Sequence, residues 1–410
     1  MKTQWLKRFL LADALVLGLI AAPMVYSAAT EAPAGFDNLT NGFTTQAQFD
    51  LDLATFDAAE EIDEGLGPVY NAQACRECHQ NPVSGSNSQI EELRAGRLDA
   101  FGNFTNPPGG SLINDRSTNV AIKERITTAE NVVAERASLN TLGDGFVEAI
   151  ADTTITNIRN AQPTGMKGTI ISVPILESPG FTRFGRFGWK NQQASLLSFS
   201  ADAYLNEMGI TSPLQNTENT SMGNSVAAFD PLPEPEEAPT VDEPFGPDVH
   251  AFARFMRSTK VPPRDTVLAA TADAVAGSNL FVSIGCSNCH TPTIQTAPVG
   301  TVFNGTGAGK FTVTAALGDK IIHPYSDFML HDVGTGDGII QNGGTTSRNK
   351  LRTMPLWGLR SKSRLMHDQF NTTRHNTILR HTNEAEPVIQ NYINLNTTQQ
   401  NQILTFLNSL

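Results

Sequence analysis

Apolar residues recur at helical spacing in most of the patterned segments of this chain, and strict alternation is scarce. Residues 49–64 predict a first helix, stopped by Gly65-Leu66-Gly67-Pro68, with Asn71 in the loop beyond. Residues 90–98 predict a second, short helix, residues 106–110 a turn, and residues 118–126 fit neither period. A turn is expected at Gly143-Asp144-Gly145 and a helix start at residues 146–151. The β-branched run 169–175 predicts one strand in an otherwise helical region. Residues 195–208 predict a helix ending at Gly209, and residues 248–257 and 266–284 predict two more. Thr373 caps a predicted helix at 373–381. The last helix, 398–410, sets Ile403, Leu404, Phe406, Leu407 and Leu410 on one face. The fold class expected is mainly α.

The ends of the pattern carry other information. Lys2, Lys7 and Arg8 precede an apolar run at residues 10–25, interrupted only by Asp13, and Ser27, Ala28 and Ala29 offer a cleavage site. That run is shorter than the roughly 20 residues of a spanning helix. Residues 1–28 are therefore expected to be a cleaved secretory signal, with no stable membrane insertion afterwards. Residues 230–247 hold six prolines and six acidic residues and predict an extended linker. The chain then divides into an N-terminal domain at 29–229 and a C-terminal domain at 248–410. A formal net charge of −12 argues against nucleic acid and anionic membrane surfaces as partners.

Each half carries one short motif that changes the picture. Cys75-Arg76-Glu77-Cys78-His79 and Cys286-Ser287-Asn288-Cys289-His290 both match the attachment signature of c-type haem. In that chemistry the two thiols bond the porphyrin vinyl groups, and the following imidazole lies under the iron. A zinc ribbon would bring its cysteine pairs within roughly 15–20 residues of each other, far closer than these. The two motifs consume all four cysteines, so no thiol remains for disulfide or dithiol chemistry. Two covalently bound haem c groups are expected, with His79 and His290 as iron ligands. A helix running into the second motif and a C-terminal helix crossing it form a cytochrome c arrangement. The expected fold becomes two cytochrome c-like haem domains with long loop insertions.

The second axial position of a haem iron separates electron transfer from reaction with peroxide or oxygen. The chain has eight histidines, and His79 is the only one before the linker. The first haem is thus expected to be open or water-occupied, although Met166, Met208 and Met222 are available to close it. In the second half His381 is the expected distal ligand. His375, six positions earlier, points from a different helix face and cannot serve the same iron. His323, His331 and His367 are expected to be loop or propionate contacts.

Taken together these residues resemble the di-heme oxidoreductase family, related to bacterial diheme cytochrome c peroxidases and the methylamine-utilisation diheme enzyme. The resemblance is carried by residues 65–79, 185–190 and 208–212, the second haem motif with Thr291-Pro292, Leu330-His331-Asp332, residues 355–360 and His367-Asp368. It implies that His79 serves the haem where peroxide reacts and His290 the haem that stores electrons. His381 falls where the peroxidases place a methionine and the quinone-forming relative a tyrosine. Trp189 is similar to the tryptophan lying between the haems, and Glu207 to the distal acid of the peroxide pocket. The pocket's glutamine is replaced near Ser198 or Phe199, the distal loop histidine is missing, and Gln369-Phe370 and Thr382-Asn383 also depart from the family. The implied protein is a periplasmic oxidoreductase that reduces hydrogen peroxide or oxygen with electrons from a small soluble donor of cytochrome c or cupredoxin type. A pure electron-transfer cytochrome and an oxidase that modifies a partner protein are the other readings.

Overall fold

In a computed structural model the chain is described over residues 28–230 and 238–410. The expected signal therefore lies outside the described residues except for residue 28, as does part of the expected linker. Among the described residues no helix is long and apolar enough to cross a membrane. Helix accounts for 32% and strand for 15%, so the chain is not mainly α as its periodicity predicted.

Helix α1 (Gln46–Asp57) starts on Thr45, whose hydroxyl accepts from the Gln48 amide, and buries Phe49 and Phe56. The largest departure from the predicted pattern follows. Residues 90–98 do not form a helix; β1 (Glu91–Leu98) is the centre of an antiparallel sheet with β2 (Phe104–Thr105), β3 (Leu112–Ile113) and β4 (Val132–Ala137). Glu, Leu, Arg and Ala favour helix locally, but six paired residues on β4 outweigh that weak preference. Gly96 permits the close hairpin, since a Cβ there would stand 2.2 Å from the Phe104 ring.

Beyond the sheet, α2 (Asp152–Ala161) is a helix that the periodicity missed. The expected strand is present at Ser172–Pro174. Helix α3 (Leu196–Ala203) is capped by Ser195, and its last turn widens into a π turn at Tyr204–Met208 before Gly209 ends it. Gly209 has φ +72°, and a Cβ there would meet the Val69 carbonyl at 2.6 Å.

Past the Pro-rich stretch, α4 (Pro247–Ser258) packs back onto α1, with Phe255 5.4 Å from Phe49 and 4.6 Å from Phe56, ring centre to ring centre. Ion pairs tie α4 both to α1 and to the turn ending at Glu148. Arg257 grips Glu148 at 2.7 and 2.9 Å, and Arg254 grips Asp52 at 2.7 Å. Burial opposes the charge on Glu148, but Arg257 holds its carboxyl below the usual range. The first core also takes in Ile294, Phe311, Ile322 and Trp357. This core thus draws side chains from both sides of residues 230–247.

A second core is built by α5 (Ala272–Ser283), α6 (Arg374–Leu379), α7 (Glu386–Ile393) and α8 (Thr397–Asn408). The helix expected at 266–284 breaks in two because Thr271 caps α5. Helices α5 and α8 cross so closely that a Cβ on Gly277 would lie 1.9 Å from the Gln402 carbonyl. Phe281 and Phe406 meet beside the crossing at 5.2 Å, with Tyr325 against both.

Candidate functional site

Each Cys-X-X-Cys-His motif opens onto its own cavity. Cys75–Cys78 is one helical turn that sets both thiols on one side, and Cys286–Asn288 is a tighter turn. Burial pushes the Cys78 and Cys286 thiols up to about 12, which disfavours thiolate chemistry. The first cavity, about 660 Å³, is lined by Cys75, Cys78, His79, Trp189, Glu207 and Met208 among others. The second, about 460 Å³, is lined by Cys286, Cys289, His290, His381 and again Trp189. Both volumes fall in the range of cofactor pockets.

Three histidines share one arrangement. The His79 Nδ1 faces the Ser86 carbonyl at 3.3 Å, His290 Nδ1 the Tyr325 carbonyl at 3.0 Å, and His381 Nδ1 the Thr377 carbonyl at 2.9 Å. A carbonyl only accepts, so Nδ1 carries the proton and Nε2 keeps its lone pair, as metal-ligating imidazoles require. Burial holds all three below the ordinary imidazole range, in the neutral form. His290 and His381 border the same cavity, whereas His375 does not and bonds the Tyr392 hydroxyl at 2.9 Å. The first cavity has no histidine but His79 among its described lining.

Further buried groups suit a bound haem. The Nε atoms of Arg352 and Arg374 are buried without a hydrogen-bond partner, and Arg352 lines both cavities. A buried guanidinium Nε–H left without a partner suits a propionate oxygen of a porphyrin.

Trp189 stands where the two cavities meet. Its Nε1 donates to the Ala137 carbonyl at 2.8 Å, and its ring meets that of His367 edge-on at 6.0 Å. The supporting loop is fixed on both sides. Arg352 N donates to the Trp189 carbonyl at 2.9 Å. Lys190 Nζ is fully buried among the carbonyls of Ser347, Arg348 and Lys350, with Asp337 at 2.9 Å. Gly185 is required there, since a Cβ would collide with the Asn191 carbonyl at 2.1 Å.

Glu207 lies in the π turn, a helix defect that recurs at functional sites. Its own carbonyl accepts from Asn71 N at 2.7 Å and Ala72 N at 3.1 Å, tying the turn to the loop that feeds Cys75. Its carboxyl receives the Asn71 Nδ2 hydrogen bond at 2.8 Å and faces the first cavity. Burial, with the Glu92 carboxylate next, pushes Glu207 up to about 8.

Several expectations need correction. Met166 lines the second cavity, its sulfur 3.6 Å from Asn288 Nδ2, and is not available to the first motif. Met222 lines neither cavity; Met208 and Met256 line the first. His331, expected as a loop or propionate contact, lines the second cavity as a buried ion-pair centre, with Asp327 at 2.8 Å on Nε2 and Glu384 at 2.8 Å on Nδ1. Two carboxylates on two ring nitrogens demand an imidazolium, and despite burial they raise His331 to about 12. His323 is exposed and pairs with Glu31. Ser198, one expected replacement for the family glutamine, donates to Glu177 instead, while Gln192 and Gln193 face the first cavity. Glu92 and Arg94 were missed because their segment was expected to be helical; both point into the first cavity from β1.

Residues 111–410 match the family described as "Di-haem oxidoreductase, putative peroxidase". The chain belongs to the di-haem oxidoreductase family. Membership implies two haems and an oxidoreductase activity. The match begins after the first Cys-X-X-Cys-His motif, so that motif stands on its own sequence and on the cavity beside it. No curated protein matches this di-haem oxidoreductase. Among solved structures it is similar to a hydrazine synthase of Kuenenia stuttgartiensis, at TM-score 0.40 and 12% identity over 98% of this chain and 100% of that one. It is also similar to a MauG-like protein associated with microbial copper homeostasis, at TM-score 0.40 and 14% identity over 95% of each chain. Neither likeness is close enough to bear on function.

Proposed function

We propose that this di-haem oxidoreductase is a periplasmic protein with two c-type haems that reduces hydrogen peroxide at the first, with electrons relayed through the second. The observation that carries this reading is the asymmetry of the two cavities. One is lined by a single histidine and by the hydrogen-bonded acid Glu207, the other by four histidines, of which His290 and His381 keep Nε2 free, and Trp189 borders both. Cys75, Cys78 and His79 would hold the first haem, and Cys286, Cys289, His290 and His381 the second. When bound, the haems supply the two electrons that peroxide cleavage requires.

The protein's own residues do the rest. Glu207 gives its proton to the departing peroxide oxygen, which leaves as water, and takes up the proton of the other oxygen. Its hydrogen bond from Asn71 and its backbone tie to the Cys75 loop fix the carboxyl relative to His79. Trp189, rigidly bonded to Ala137, gives an aromatic bridge between the cavities. A small soluble donor of cytochrome c or cupredoxin type re-reduces the pair, and a secretory signal at residues 1–28 delivers the chain to the periplasm.

The experiment is a stopped-flow titration of the fully reduced protein with hydrogen peroxide. One equivalent should oxidise both haems, since each peroxide takes two electrons and two protons to become two waters. A reduced protein that peroxide leaves unchanged would be an electron carrier, with Met208 as the group best placed to close the first cavity.

A further inference from the structure

The acid proposed to handle protons has an unassigned partner. Strand geometry turns residues two apart to the same face, so Glu92 and Arg94 of β1 both enter the first cavity. Arg94 grips Glu92 with two hydrogen bonds, Nε at 2.5 Å and Nη2 at 3.0 Å. On β4, Arg136 stands directly opposite Glu92 in register, with Nη1 3.6 Å from the same carboxylate. Arg136 is itself buried and anchored to Asp337 at 2.7 Å, so it cannot swing away. Two guanidinium groups therefore fix Glu92 as the anion.

The Glu207 carboxyl lies on the wall of the same cavity, within interaction range of Glu92. Two ionised carboxylates would repel at that range, and a hydrogen bond between them needs one proton. The other titratable groups lining the cavity, besides the haem motif, are Asp202 from α3, Asp115 and Arg116 from the segment before β4, and Glu91, Asp144, Tyr204 and Arg352. Asp202 adds negative charge, while Asp115 is paired with Lys123 and Arg116 with Glu77. We propose that Glu92 and Glu207 hold one proton between them, Glu92 as the fixed anion and Glu207 as the acid, so that Glu92 sets the protonation state of the group facing the first haem. This rests on the reading of Glu207 as the proton-handling group.

The sign of the pH dependence follows. An ordinary carboxylate would be ionised at neutral pH and would lose base function only on acidification. Glu207, raised to about 8, is an acid at neutral pH and loses its proton as the pH rises through that value. Peroxide turnover should therefore fall on the alkaline side.

The test uses the holoprotein. Infrared spectra at neutral pH should show a protonated-carboxyl stretch that Glu207→Gln removes. Glu92→Gln should remove the same band, because Glu207 then faces Arg94 and ionises, whereas Glu92→Asp should keep it. Asp144, which burial raises to about 8, lines the same cavity, so the Glu207 band is assigned from variant-minus-native difference spectra. The alkaline limb of the peroxide reaction should move down by about two pH units in Glu92→Gln and up in Arg94→Gln. If Glu92→Gln does not accumulate with both haems, the upward shift in Arg94→Gln carries the test. A band that survives in Glu92→Gln, or a limb that neither substitution moves, would overturn the proposal. The infrared measurement needs no peroxide, so failure of the peroxidase reading and failure of the carboxyl pair are seen separately.

Discussion

Glu207→Gln is expected to slow oxidation of the reduced protein by hydrogen peroxide by about 10²–10⁴-fold, the range for loss of a positioned acid or base. Reduction of the same variant by a donor protein should be unchanged. The substitution keeps side-chain length and an oxygen for the Asn71 hydrogen bond, and it leaves both haem motifs intact. What it removes is the only proton that Glu207 can give or take at the cavity. The peroxide step and the donor step therefore separate, as expected for a group that acts in one chemical step alone. Rapid-mixing spectroscopy of each half-reaction checks this. Equal slowing of both halves would mean that Glu207 holds the fold of the π turn and does not handle protons.

The second large effect concerns the cofactor itself. Native mature protein should show two covalent haem additions by mass spectrometry, and Cys286→Ala with Cys289→Ala should show one. Only the second cavity is lined by these cysteines, so the first attachment is expected to survive. The stability consequence is substantial. Without the haem the apolar walls of this cavity return to solvent and their burial no longer contributes to folding. The core around α5 and α8 should thus lose hydrogen-exchange protection while α1 and α4 keep theirs. A native protein carrying zinc and no haem would contradict the cofactor assignment outright.

What the sequence made legible is what depends on short spacing. The Cys-X-X-Cys-His motifs are contained within a few residues and open onto cavities in the structure, whereas Trp189 and Glu207, which line them too, were marked only by the family resemblance. The cap at Thr373 was also local, because a hydroxyl reaches only the next turn. What depends on distant pairing was not legible. Residues 90–98 carry helix-favouring side chains, and only their partner strand at Val132–Ala137 makes them a strand, so Glu92 and Arg94 went unnoticed. Likewise nothing near His331 in the chain announces Glu384, which completes its ion pair from the far side of α6. The Pro-rich stretch marks a change of composition, yet Arg257 beyond it neutralises Glu148 before it.

The central claim is that one haem has a vacant face and the other is closed by two histidines. Resonance Raman spectra of the purified protein, with and without cyanide, test it most directly. The account predicts one high-spin haem that cyanide converts to low spin and one low-spin haem that ignores it. It further predicts that His381→Ala makes the second haem high-spin, while His375→Ala does not. Two low-spin haems, both indifferent to cyanide in every redox state, would contradict it.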